Sequence, residues 1–273
     1  MDKRRDSIVN TLAAVKEDQI REFLAEEMKS NKELWERFVA VFGVRRGNRT
    51  DYLTMVESMY SESVDGRYGL VPYGIEIDFG KITRLARAHE GRKDYEEAIR
   101  VYKELSEVIA KNMDIIDDSD GYYGICFSDS IHSMVECINR QGVIKERHIK
   151  YMFEKFMLKE PDYFEEHYEY ALGAICTTAN DLACWEKLLD PHIPDTIPSY
   201  DKNWTSHYNA LMLIMMKITI LERTGSQALI DILAKHYRDD HKICNAYIVH
   251  LKKKDRQAAI RIAEEGARLF SHI

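Results

Sequence analysis

Apolar residues recur along this chain every three or four positions, the spacing that gathers them on one face of an α-helix. Ile8, Leu12 and Val15 begin the pattern, and Ile20, Phe23, Leu24 and Met28 continue it. Asn31 is placed to cap a helix carrying Leu34, Trp35, Phe38, Val39 and Phe42, which Gly43 would end. Thr50-Asp51 opens another through Met55, Met59 and Tyr60. The stretch from Asp65 to Gly80 holds Gly66, Gly69, Pro72 and Gly74 and predicts a loop. Ile82, Leu85, Ala86 and His89 then face Ala98, Val101, Leu105 and Val108 across a long hairpin. After the acidic turn Asp117-Asp118-Ser119-Asp120-Gly121, a helix runs to about Asn139. Others follow over about 145–158, 162–177, 180–189, 203–223, 226–237, 240–252 and 256–271. Pro191, Pro194 and Pro198 make 190–202 a non-helical connection. No segment sustains period-two alternation, so the predicted fold class is all-α.

One phrase occurs twice. Asp94-Tyr95-Glu96-Glu97-Ala98-Ile99-Arg100-Val101 returns as Asp255-Arg256-Gln257-Ala258-Ala259-Ile260-Arg261-Ile262. Each Asp stands at an N-cap, where a carboxylate accepts from the orphan N–H groups of the first turn. The Ala four residues on is small enough for a neighbouring helix to approach closely. The pattern predicts two helical hairpins, with the Asp94 and Asp255 helices second in each. It extends to an α-solenoid of stacked hairpins, a tetratricopeptide/HEAT-like superhelix over residues 1–273, with 65–80 and 190–202 as the places where it would subdivide.

Composition narrows the functional classes. With 45% hydrophobic and 31% charged residues, 273 residues suffice for one continuous soluble core. Only 5 prolines and 13 glycines argue against a β-sandwich or barrel. A formal charge of −7 argues against nucleic acid as a partner, since neutralising phosphates needs a surplus of Lys and Arg. The 5 cysteines form no C-x-x-C pair and are odd in number, which suits buried thiols in a reducing compartment. The N-terminus lacks a signal-peptide apolar core, and the most apolar run, Ala210 to Leu221, is interrupted by Lys217 and too short to span a bilayer. The expectation is a cytoplasmic protein without membrane contact.

Three segments resemble the α-helical region found C-terminal to SWIM-type zinc fingers in bacterial and archaeal proteins. They are Asp51-Tyr52 through Ile116-Asp117-Asp118-Ser119-Asp120-Gly121, then Glu222-Arg223-Thr224-Gly225-Ser226 with Ala228-Leu229, and Asp255 through Glu264-Glu265-Gly266. The pattern from Ile20-Arg21-Glu22-Phe23-Leu24 to Trp35, Phe38, Phe42 and Gly43 is similar too. The zinc finger itself, a C-x-C…C-x-H module, is absent. The resemblance therefore implies a helical-repeat scaffold or adaptor and carries over no catalytic residue; a nucleic-acid-associated regulator is the alternative it leaves, which the acidic balance disfavours.

Candidate chemistry is sparse. Asp129, His132 and Glu136 share one helical face and define the rival readings, a divalent-metal site or a hydrolase-like enzyme. Further ligands would have to come from another helix; Glu165, Glu166 and His167 are the nearest in kind. The alternative for the trio is a solvated, ion-paired face. Asp118-x-Asp120-Gly121 resembles the middle of an EF-hand loop, but Ile116 and Phe127 would then occupy the first and last ligand positions, so helix capping is expected instead. His236 and His241 do not share a face; His236 suits a helix C-terminus, and Asp239 or Asp240 would cap the following helix. Arg45-Arg46-Gly47-Asn48-Arg49 and Lys252-Lys253-Lys254 read as solvated turns without P-loop spacing. The 16 tyrosines are scattered and read as packing residues with hydroxyls reaching water. No cofactor, metal or catalytic set is predicted.

A protein or peptide partner is expected instead. Lys81, Arg84 and Arg87 recur at intervals of three on the side of their helix opposite Ile82, Leu85 and Ala86. First helices of tetratricopeptide-like hairpins line a concave groove, so these cations would meet an acidic or carboxylate-ended segment, unless Glu96, Glu97 or Glu104 neutralise them.

Overall fold

A computed structural model describes residues 11–32, 34, 35, 38, 51–142, 145–159, 164–238 and 240–269. Among the described residues every regular element is helical, and the one β contact is an isolated bridge between Asp65 and Leu70. None of the described helices is long and apolar enough to cross a membrane. The chain divides into two compact units, Met1–Gln141 and Gly142–Ile273. The loops at 65–80 and 190–202 each fall inside one unit.

The first unit contains α1 (Glu17–Ser30), α2 (Tyr52–Ser63), α3 (Gly80–Gly91), α4 (Tyr95–Lys111), a 3₁₀ turn (Met113–Ile115) and α5 (Tyr122–Gln141). Helix α4 packs against α2, α3 and α5. Its sequence explains why: Ala98, Ile99, Val101, Tyr102, Leu105, Ser106, Val108 and Ile109 are all buried, an apolar face broader than a single-neighbour stripe. Helix α2 supplies Tyr52, Val56 and Tyr60 at spacings of four; α3 supplies Ile82, Leu85, Ala86 and His89; α5 supplies Phe127, Ile131, Met134 and Ile138 among others. Full burial of each aliphatic side chain contributes about 1.5–3 kcal/mol. Asp51 caps α2 through Thr54 N (3.0 Å).

The predicted loop at 65–80 is tied down. Val71 N donates to Ile115 O (2.8 Å), Tyr123 Oη to Ile75 O (2.9 Å) and Tyr122 Oη to Ile77 O (2.8 Å). Gly69 and Gly74 adopt φ of 69° and 78°, which only glycine accepts without strain. At the other end of the unit no residue of α1 is buried, and Phe23 is 62% exposed. Asn31 Oδ1 accepts from Leu34 N (2.9 Å), as an N-cap should. Ile8, Val39, Phe42, Gly43 and the Arg45–Arg49 turn lie outside the described residues, as does Asp239.

The second unit runs α6 (Glu146–Leu158), α7 (Glu165–Ile175), α8 (Ala179–Leu189), a 3₁₀ turn (Asp190–His192), α9 (Trp204–Thr224), α10 (Gln227–His236), α11 (His241–Lys252) and α12 (Arg256–Leu269). Contacts pass along the chain: α6 with α7 and α8, α8 with α9, α9 with α10 and α11, and α11 with α12. The boundaries follow local chemistry. Thr178 and Asp181 form a capping box, Asn203 Oδ1 accepts from Ser206 N (2.9 Å), and Asp240 Oδ1 accepts from Lys242 N (2.8 Å). Gly225 ends α9 at φ 72°.

The repeated phrase occupies equivalent places, opening the second helix of the α3–α4 and α11–α12 hairpins. In each turn two amides make matching bonds: Arg92 N to His89 O and Lys93 N to Glu90 O, then Lys253 N to His250 O and Lys254 N to Leu251 O. Ala98 and Ala259 are both buried. One expectation needs correction. Asp255 Oδ1 caps its helix by accepting from Ala258 N (3.0 Å), but the Asp94 carboxylate caps nothing and lies 3.1 Å from His89 Nδ1 instead. The turn geometry differs there, because Lys93 stands at φ 61° and Asp94 N reaches back to His89 O, whereas Asp255 N bonds Leu251 O. Ile99 is buried, whereas its counterpart Ile260 is half exposed.

Ala98→Leu and Ala259→Leu should each overpack a hairpin seam and cost about 1–3 kcal/mol in urea denaturation. An unchanged midpoint for both would show that neither alanine sits in a tight seam.

Candidate functional site

The outward face of α3 carries Lys81, Arg84 and Arg87, all exposed, while Ile82, Leu85, Ala86 and His89 point into the core. None of the three cations is in an ion pair among the described residues. Two of the carboxylates expected to neutralise them are engaged elsewhere. Glu97 holds Arg100 Nη1 (2.9 Å) and accepts from Tyr52 Oη (3.0 Å), and Glu96 accepts from Gln141 Nε2 (3.0 Å).

Beneath this face lies a polar chain, buried at Tyr52 and His89, that joins α2, α3 and α4. Tyr52 gives its single hydroxyl proton to Glu97, so its oxygen receives His89 Nε2–H at 3.2 Å. His89 Nδ1 lies between Asp94 Oδ2 (3.1 Å) and Arg92 Nη2 (3.2 Å), and the Arg100 guanidinium stacks 4.4 Å from the Tyr52 ring centre. An acid–imidazole–hydroxyl series is a catalytic vocabulary, yet here the hydroxyl is committed to Glu97 and His89 is 1% exposed. The arrangement fastens three helices together.

The other hairpin repeats this device with different partners. His250, 5% exposed, stands five residues before Asp255 as His89 stands five before Asp94. Its Nδ1 meets Glu222 Oε1 at 2.5 Å and its Nε2 meets Gln227 Oε1 at 2.6 Å, reaching the end of α9 and the start of α10. Reading the repeat forward from the aspartates misses both imidazoles, although His-x4-Asp is present in each copy.

The acidic trio on α5 does not assemble into a site. Asp129 is exposed, Glu136 pairs with Arg140 (2.9 Å), and His132 Nδ1 bonds the Ser128 carbonyl of its own helix (2.7 Å). Among the described residues no three or more His, Cys, Asp or Glu are placed to hold a metal ion. Glu165, Glu166 and His167 belong to the second unit. Asp118 accepts from Tyr123 N (2.7 Å) and Gly124 N (3.0 Å), so the acidic turn caps α5 as the sequence predicts. His236 ends α10, with Nε2 at 2.7 Å from Asp195 O. Six of the 16 tyrosines, Tyr52, Tyr102, Tyr122, Tyr123, Tyr237 and Tyr247, give their hydroxyls to protein acceptors. Burial pushes the Cys137 and Cys176 thiols up to about 12, which leaves them without the thiolate needed for nucleophilic chemistry.

A cleft of about 80 Å³ opens beside α3, α4 and α5. Phe79, Tyr102 and Leu105 supply its buried apolar surface, Thr83, Cys126, Ser130 and Ser133 its neutral polar walls, and Arg87 and Asp129 its charges. The fold thus brings together one member of the cationic strip and one of the acidic trio, which the sequence pattern assigns to separate sites. Comparison of the chain with models of protein families, with curated proteins and with solved structures finds no match.

Two measurements check this description. Tyr52→Phe strips the hydroxyl that joins His89 to Glu97 and should lower stability by about 1–3 kcal/mol, because both partners then lack a bond; a neutral result would mean the chain is open to water. In the native protein at mildly alkaline pH, iodoacetamide should spare Cys137 and Cys176 and modify them only after denaturation, as peptide mass mapping would reveal.

Proposed function

We propose that the protein is a non-catalytic helical-repeat scaffold or adaptor of the cytoplasm, tetratricopeptide-like in its hairpins, that binds an acidic or carboxylate-ended segment of a partner protein. The carrying observation is the strip of Lys81, Arg84 and Arg87: three exposed cations, in no ion pair among the described residues, on a protein of net charge −7. Arginine grips carboxylates in two-point fashion, and a basic strip on an acidic body steers an acidic segment to one place. The resemblance to the helical region that follows SWIM-type zinc fingers agrees with an adaptor role. Stacking of the hairpins into a superhelix would place α3, as a first helix, on the concave side.

The test is fluorescence anisotropy with a labelled Glu-rich peptide bearing a free C-terminus. Lys81→Glu combined with Arg84→Glu should weaken binding at least about tenfold and flatten its salt dependence while helicity by circular dichroism stays the same. Equal binding by the variant, or no binding by the native protein, would overturn the assignment.

A further inference from the structure

We propose that the cleft beside α3, α4 and α5 is a binding site for a small zwitterion of the free α-amino-acid class, its carboxylate on Arg87 and its ammonium on Asp129. The cleft's two charged groups have opposite sign, and neither is in an ion pair among the described residues. Three of its neutral polar groups are already committed. Tyr102 Oη donates to Glu90 (2.6 Å), Ser130 Oγ to Cys126 O (2.7 Å) and Thr83 Oγ1 to Phe79 O (3.1 Å). Beside Cys126 and Ser133, what remains for a ligand is a guanidinium, a carboxylate and an apolar wall from Phe79 and Leu105.

Size and charge then select the ligand. A cleft of about 80 Å³ has room for several waters, or for a small solute such as a free amino acid. A simple anion drawn to Arg87 meets Asp129, and a simple cation drawn to Asp129 meets Arg87; a molecule carrying both charges avoids either penalty. The apolar wall accepts a hydrogen or methyl on the α-carbon. Lys81 and Arg84 do not line the cleft, so this site stands apart from the partner strip and shares only Arg87 with it.

Calorimetric titration of the full chain with glycine, alanine and serine tests the assignment, with propionate and ethylamine as single-charge controls. At least one amino acid should bind, and each control should bind at least about tenfold more weakly. Arg87→Ala and Asp129→Asn should each reduce amino-acid binding by a similar factor, while Lys81→Ala leaves it unchanged. Should either cleft variant misfold, the comparison of alanine with propionate and ethylamine on the native protein decides alone. Silence from all three amino acids, propionate binding as tightly as alanine, or undiminished binding by both folded variants would overturn the proposal. The Glu-rich peptide titration with the Lys81/Arg84 variant is read separately, so failure at the cleft leaves the strip untouched.

Discussion

The first unit depends on covering α4. A helix with eight buried positions spread round much of its circumference cannot be satisfied by one neighbour, and α2, α3 and α5 are drawn against it for that reason. Close packing has an electrostatic consequence. Where the three helices meet, Tyr52 and His89 lose water, and an unbonded polar group there would cost about 1–3 kcal/mol. Glu97, Asp94 and Arg92 supply what the water supplied. The polar chain is thus a consequence of the apolar packing, and through Tyr52, His89 and Glu97 it adds polar contacts between α2 and the hairpin.

The two hairpins show what the repeated sequence determines and what it leaves to context. Both keep the small alanine, the paired turn amides and a buried imidazole at the end of the first helix. They differ in what the imidazole meets: a tyrosine and an aspartate in one, a glutamate and a glutamine in the other. The aspartate follows from that choice. Where Glu222 supplies the carboxylate, Asp255 is left to cap its helix; where no such glutamate bonds the ring, Asp94 takes its place and gives up the cap.

This explains which features were legible in the sequence. Helix positions were, because 3.6-residue periodicity is a local property, and the boundaries were sharp wherever a side chain caps its own backbone, as at Thr178, Asn203 and Asp240. The Asp94 cap was not, because the competing partner and the left-handed Lys93 belong to the packed turn. The tyrosine hydroxyls escaped for the same reason: Tyr123 bonds Ile75, and nothing in the spacing of the two announces it. The cationic strip was legible as a face of one helix. The cleft was not, since its walls come from three helices whose meeting no single periodic stretch encodes.

The strip also makes sense energetically. Two other cations of the first unit are partnered, Lys111 with Glu57 and Arg140 with Glu90 and Glu136. Exposed pairs of this kind contribute only about 0.2–1 kcal/mol each, so folding gains little by pairing Lys81, Arg84 and Arg87 as well. Leaving them unpaired costs almost nothing in stability, and in the proposed role a carboxylate would meet them without displacing an existing partner. The burial of Ile82, Leu85, Ala86 and His89 on the opposite side fixes the helix rotation and holds the three cations outward. The same buried face that anchors α3 to α4 therefore sets the direction in which its charges are presented.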